Sequence, residues 1–145
     1  MKGATCYVER FQPVKGMMML GIKIGLVVAA FLPWLAAICA KAGGSGFDNH
    51  DPRPWLAGLT GWRARANAAQ ANAFEALPFF FAAVLLALWS GADPLRVQSL
   101  MISWIVLRVL YLLMYIMNKA ALRSLVWFLA VVVNVWIVFL PVLRT

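Results

Sequence analysis

Residues 124–143 read SLVWFLAVVVNVWIVFLPVL, an apolar stretch that carries no charged residue. A helix rises about 1.5 Å per residue, so a stretch of this length spans about 30 Å, the thickness of the hydrocarbon layer of a bilayer. The stretch therefore predicts a transmembrane helix, and by itself it indicates an integral membrane protein.

The rest of the chain has the same character. Of its 145 residues, 64% are hydrophobic and 12% are charged, against roughly 45–50% and 25% in soluble domains. This composition excludes a disordered chain, a disulfide scaffold and a multidomain soluble enzyme. Further apolar runs at 17–40, 68–89 and 95–117 predict an all-α integral membrane bundle of four transmembrane helices. We expect residues 1–16 to form an N-terminal tail and 17–145 the membrane domain.

One long and two short connections separate the predicted spans. Residues 42–55, AGGSGFDNHDPRPW, are rich in Gly, Pro and Asp, and they cannot cross a bilayer because their backbone groups would be unpaired in lipid. The short connections are GADP at 91–94 and NKAALR at 118–123, so we expect antiparallel helices. His50 in the long loop has no Cys nearby, which predicts a solvated turn and no metal site.

The formal net charge of +8 reflects basic residues beside the spans, and nothing else in the sequence supports a nucleic-acid partner. Lys and Arg are concentrated in cytoplasmic loops of membrane proteins. With residues 1–16 left out, the side of loops one and three carries Lys41, Arg53, Arg63, Arg65, Lys119 and Arg123. The opposite side carries Lys23, Arg96 and Arg144. We therefore expect loops one and three to lie in the cytoplasm.

Charged side chains at membrane depth cost at least ~2.5–3.5 kcal/mol each on insertion scales, and Glu75 and Arg108 lie within predicted spans. At about 100° per residue, three of the helices each carry a polar stripe. The second predicted helix carries Arg65, Asn72 and Glu75. The third carries Trp104, Arg108, Tyr111, Tyr115 and Asn118, and the fourth carries Arg123, Trp127 and Asn134. We expect these stripes to face one another.

Two interpretations of the stripes are open. In the first, Glu75 pairs with Arg108, and asparagines add hydrogen bonds between helices, so the stripes serve packing. In the second, Arg65, Arg108 and Arg123 outnumber the single acidic residue and form a pocket for a negatively charged ligand. Both can hold together, with Glu75 orienting Arg108 while Arg123 remains free for the ligand.

Residues 63–80, RARANAAQANAFEALPFF, resemble the second-helix signature of the MAPEG superfamily, the membrane-associated proteins in eicosanoid and glutathione metabolism. The core of that signature corresponds here to Asn72, Glu75 and Pro78. Two further patterns match, at Arg108, Tyr111 and Tyr115 and at Arg123 and Ser124. The resemblance covers about 17–143 and is strongest to an uncharacterised bacterial branch, which implies a bacterial inner membrane.

The resemblance implies a homotrimer that binds glutathione between neighbouring subunits near the cytoplasmic face. It implies that Asn72 and Glu75 hold the peptide and the γ-glutamyl amine, that Arg108, Tyr111 and Tyr115 take backbone or carboxylate groups, and that Arg123 is the catalytic residue facing the thiol. Glutathione-using members commonly carry an Arg where this chain has Ala68. Arg65, one turn earlier, is expected to take over that role.

The function implied is binding of glutathione or a related thiol, with conjugation or reduction of lipophilic electrophiles or peroxides, as a glutathione transferase or peroxidase. A second hypothesis belongs to another class of protein: a non-catalytic membrane scaffold or an accessory subunit of a larger membrane complex, in which the stripes serve packing. Arg123 separates the two, because only the enzyme requires it for activity.

Overall fold

The computed structural model describes the backbone of residues 2–142 and the side chains of residues 16–142. In chain order the helices are α1 (Lys2–Lys41), α2 (Pro52–Ala57), α3 (Gly61–Trp89), α4 (Pro94–Ile116) and α5 (Ala120–Phe139). Part of α1, Gly16–Lys41, and the whole of α3, α4 and α5 are long and apolar enough to cross a membrane. The predicted all-α bundle of four transmembrane helices is confirmed.

Several helix boundaries differ from the predicted spans. Helix α1 runs without a break through the boundary predicted between residues 16 and 17, and the division there into tail and domain stays a prediction. Helix α3, which contains the apolar run 68–89, starts at Gly61 and continues through Pro78. Helix α5 starts at 120 rather than 124, because Asn118 adopts the left-handed conformation (φ 58°) that a tight turn requires. The predicted end of the last span, residue 143, lies outside the described residues.

The long loop contains the short helix α2, which the sequence did not predict. Two prolines in its first turn suit a helix start, where the missing N–H has no intrahelical partner to lose. The Trp55 indole Nε1–H donates to the carbonyl oxygen of Ser45 at 2.9 Å, and the Trp55 ring meets Phe47 edge-on, with 5.1 Å between ring centroids. The loop therefore folds back on itself at the end of α1.

Helix α3 is central and packs against α1, α4 and α5. In the half of α3 that we predict to be cytoplasmic, the buried residues are alanines. Small side chains let membrane helices approach closely. Ala69 of α3 packs in one cluster with Ala36 of α1 and Tyr111 of α4. Deeper in the bundle, Phe80 of α3 stacks on Trp104 of α4, with ring centroids 3.9 Å apart. This packing sets the separation of α3 and α4, between which the polar side chains lie.

Two arginines near the start of α3 bind the carboxyl-terminal ends of its neighbours. Arg63 donates hydrogen bonds of 2.9 and 2.6 Å to the carbonyl oxygens of Ala42 and Gly43, directly after α1. Arg65 donates three hydrogen bonds, of 3.1, 3.2 and 2.9 Å, to the last two carbonyls of α4. These carbonyls lack intrahelical partners and lie at the negative end of the helix dipole. A guanidinium group supplies both the hydrogen-bond donors and the positive charge that stabilise them.

We predict that Arg65→Ala lowers the free energy of unfolding by about 1.5–3 kcal/mol, because it removes charge-assisted hydrogen bonds from partly buried carbonyls. Arg53→Ala is the matched control: Arg53 is exposed in the loop at the same end of the bundle and forms no hydrogen bond or ion pair among the described residues. Its effect should stay within about 0.5 kcal/mol. Denaturant unfolding in detergent micelles measures both, and equal losses would contradict the capping role.

Candidate functional site

Arg108 is buried at membrane depth on α4, with 5% of its surface exposed. Two aromatic side chains, Tyr111 and Trp104, contact its guanidinium group. The guanidinium carbon lies 4.6 Å from the ring centroid of Tyr111 and 5.8 Å from that of Trp104. Aromatic faces attract a cation and shield it from lipid, so these contacts offset part of the cost of burying the charge.

The polar partner of Arg108 is Asn72 rather than Glu75. The Nη2 group of Arg108 donates to Asn72 Oδ1 at 2.9 Å, and Asn72 Nδ2 donates to Glu75 Oε2 at 3.3 Å. The one ion pair among the described residues joins Arg96 and Asp93 at the other end of α4, at 3.9 Å. The direct pair expected between Glu75 and Arg108 is therefore not formed, because the Asn72 amide lies between them, with its acceptor toward the cation and its donor toward the carboxylate.

Two adjoining cavities open along this polar face. The first, which we call the deep cavity, has a volume of about 200 Å³ and reaches from Glu75 and Arg108 to Phe79, Trp104 and Asn134. The second, the Arg123 groove, has a volume of about 410 Å³ and is lined by Tyr111, Arg123, Ser124 and Phe128. Asn72 and Trp127 line both cavities. The groove lies toward the beginning of α5 and the deep cavity toward the middle of the bundle.

Arg123 lies in the first turn of α5 and contacts an aromatic ring instead of a carboxylate. Its guanidinium carbon is 4.5 Å from the ring centroid of Tyr115, and Tyr115 in turn meets Tyr111 edge-on at 5.3 Å between centroids. The N-terminus of a helix carries the positive end of its dipole. The two cavities thus have one carboxylate, Glu75, beside two guanidinium groups, and they carry excess positive charge.

Most residues predicted for the site are brought together by the fold. The cavities are lined by Asn72, Glu75, Arg108, Tyr111 and Arg123. The ring of Tyr115 contacts the guanidinium group of Arg123. Arg65 is the exception: it bonds to the end of α4, and neither cavity includes it among its lining residues. The ligand-binding role of Arg65 stays a prediction, and its contacts are those of a helix cap.

The sequence-based site set did not include eight residues that line the cavities: Ala76, Phe79, Trp104, Ser124, Trp127, Phe128, Val131 and Asn134. Trp127 and Asn134 lie on the same predicted stripe as Arg123, so helical periodicity could have added them. Phe79 and Phe128 are apolar residues within apolar spans, and composition gives no signal for them. Phe79 follows Glu75 by one helical turn, which places both on one face of α3.

Comparison with known proteins identifies the family. The sequence model of the MAPEG family matches residues 22–143, a range that includes every residue lining the two cavities. The chain therefore belongs to the MAPEG family, and it is an integral membrane protein of that family's four-helix type. No curated protein and no solved structure matches the chain.

We predict that Asn72→Ala destabilises the protein more than Glu75→Gln does. Removing the amide leaves the buried Arg108 without its hydrogen-bond acceptor, which should lower the free energy of unfolding by about 2–3 kcal/mol. Glu75→Gln keeps an acceptor for Asn72 at an exposed position, so a change below about 1 kcal/mol is expected. Unfolding in mixed micelles tests both variants. A larger loss for Glu75→Gln would show that Glu75 is the main partner of Arg108 after all.

Proposed function

We propose that this protein binds glutathione or a related thiol in the two cavities and uses it to conjugate or reduce lipophilic electrophiles or peroxides. The observation that carries the proposal is the imbalance of charge. Arg108 and Arg123 line adjoining cavities, and neither forms an ion pair among the described residues. Glutathione carries two carboxylates and one ammonium group, so a site with two guanidinium groups and one carboxylate matches its charges.

The roles proposed for individual residues follow the chemistry of their side chains. Glu75 and Asn72 would accept hydrogen bonds from the ammonium and peptide groups of the thiol ligand, and Arg108, Tyr111 and Tyr115 would take a carboxylate. Support for this assignment comes from the hydrogen bond between Arg108 and Asn72, which fixes the guanidinium group at the edge of the deep cavity. Arg123 would face the sulfur, where its charge and the helix dipole favour the thiolate.

The charge of Arg123 supplies a limited part of the rate. A thiol with a pKa of about 8.5 is roughly 3% ionised at pH 7, so complete ionisation gains at most ~30-fold in thiolate. Positioning the second substrate beside the sulfur must supply the remainder. In conjugation, the thiolate forms a carbon–sulfur bond and the leaving group departs with its electron pair. In peroxide reduction, two thiols form a disulfide, while the hydroperoxide becomes an alcohol and water.

A homotrimer with the site between subunits belongs to this proposal. Glu75 is exposed on the single chain although it lies within a membrane-spanning helix. An ionised carboxylate facing lipid is costly, so a neighbouring subunit or a bound ligand is expected to cover it. We also propose a bacterial inner membrane, with the Arg123 groove near the cytoplasmic side, because the loops at that end hold more Lys and Arg than those at the other end.

Native mass spectrometry of the protein released from detergent tests the assembly. We expect a species of three times the chain mass of 16.1 kDa that persists on dilution, because the interface covers charged groups that cannot face lipid. A monomer as the main species in several mild detergents would contradict a site shared between subunits.

Calorimetric titration of glutathione into the detergent-purified protein tests the function. We expect saturable binding at or below millimolar concentration, together with thiolate absorbance in the complex. Arg123→Ala should lose the thiolate absorbance and activity with little loss of stability. Arg96→Ala, which removes an exposed arginine at the other end of the bundle, should behave like the unmodified protein.

S-methyl glutathione provides a second control for the titration. It should bind the unmodified protein without thiolate absorbance, since its sulfur cannot ionise. Absence of saturable binding up to cellular glutathione levels would overturn the proposal. That outcome would favour the non-catalytic scaffold or accessory subunit of a larger membrane complex, and purification with its native membrane partners would then follow.

A further inference from the structure

Asn134 of α5 is a buried polar residue whose hydrogen bonds are not made within the chain. Its side chain is 3% exposed, and its Oδ1 atom has no hydrogen-bond partner. The Nδ2 group likewise forms no hydrogen bond among the described residues. A buried carbonyl oxygen that has no hydrogen-bond donor costs stability. Such a group is kept at that cost, or because a bound molecule or a neighbouring subunit completes its hydrogen bonds.

The place of Asn134 favours a bound molecule, because the residue lines the deep cavity. The other walls at this depth are apolar or aromatic, formed by Phe79, Trp104 and Val131. The two charged residues that line the cavity, Glu75 and Arg108, lie nearer the Arg123 groove. The deep end of the cavity therefore offers one polar group, an amide, within an apolar enclosure.

These walls define the chemistry of the occupant. The charged groups that could pair with a carboxylate or an ammonium group, Arg108 and Glu75, line the other part of the cavity, and an apolar molecule would leave the amide unpaired. A hydroxyl group both donates and accepts hydrogen bonds. It can therefore pair with either edge of the Asn134 amide, and the broad two-fold χ2 torsion of asparagine lets either edge turn toward it.

We propose that the end of the deep cavity around Asn134 is a second ligand subsite, in which the Asn134 amide binds the hydroxyl group of a lipophilic molecule. If the proposed function holds, this molecule is the co-substrate of the thiol, because Asn72 and Trp127 join the deep cavity to the Arg123 groove. Asn134 follows Arg123 by three helical turns, about 16 Å along α5. The hydroxyl group would therefore lie far from the reacting end and select the substrate without taking part in the chemistry.

Asparagine-selective ¹⁵N labelling of the protein in nanodiscs tests this subsite without any thiol present. The side-chain amide signal of Asn134 is the one that disappears in Asn134→Leu. Octan-1-ol and 1-methoxyheptane have the same number of heavy atoms, but the ether can only accept hydrogen bonds. Each is added at the same mole fraction in the membrane. We expect octan-1-ol to shift the Asn134 signal saturably, with a dissociation constant about tenfold below that of the ether.

Variants of the protein make the result specific to Asn134. In Asn134→Leu, the Asn72 side-chain signal reports on the same cavity, and the preference for the alcohol should fall to within about twofold. Ser103→Ala is the matched control, since the Ser103 hydroxyl is exposed on α4 and bonds to its own helix. It should keep the tenfold preference.

Three outcomes would overturn the inference: no saturable shift, equal shifts by alcohol and ether, or an alcohol preference that survives Asn134→Leu. The glutathione titration is a separate measurement. An alcohol preference without glutathione binding would leave the subsite standing and remove the proposed function. Glutathione binding without an alcohol preference would leave the proposed function standing and remove the subsite.

Discussion

The burial of Arg108 within the membrane is the constraint on which the rest of the structure depends. A guanidinium group cannot lose its proton at physiological pH, so the fold must supply partners for its charge where water is absent. Tyr111 and Trp104 supply aromatic faces from its own helix, and Asn72 supplies an acceptor from α3. The last contact requires α3 and α4 to lie close together, and the buried alanines of α3 make that approach possible.

Four arginines of the predicted cytoplasmic half serve two different purposes. Arg63 and Arg65 are satisfied by backbone carbonyls at the ends of α1 and α4, where the helix dipoles attract them. These contacts fix the positions of α1, α3 and α4 along the bundle axis. Both guanidinium groups bind carbonyl oxygens and do not line the two cavities. Arg108 and Arg123 contact aromatic rings and an amide, which leave their charge largely uncompensated. Two guanidinium groups without an ion pair among the described residues therefore line the two cavities, beside one carboxylate.

The polarity of the two cavities changes with depth in the same direction as the surrounding bilayer. Tyr111 and Arg123 line the groove near the beginning of α5, whereas Phe79 and Trp104 line the deep end, with Asn134 as its one amide. A water-soluble anion and a membrane-soluble molecule can thus approach the same space from different phases. Under the function proposed above, the hydrophilic thiol would enter from the aqueous phase and its lipophilic partner from the bilayer.

The sequence by itself determined the membrane fold and much of the candidate site. Runs of apolar residues long enough to span a bilayer leave the chain no other stable state, and the fixed period of the helix placed Asn72 and Glu75 on one stripe and Arg108 on another. Only the tertiary structure decided that Asn72 stands between Glu75 and Arg108, that Arg65 caps α4, and that the Asn134 amide is left unpaired. Those outcomes depend on the relative heights and rotations of packed helices. Helical periodicity does not fix them, because it orders residues around one helix and not between two.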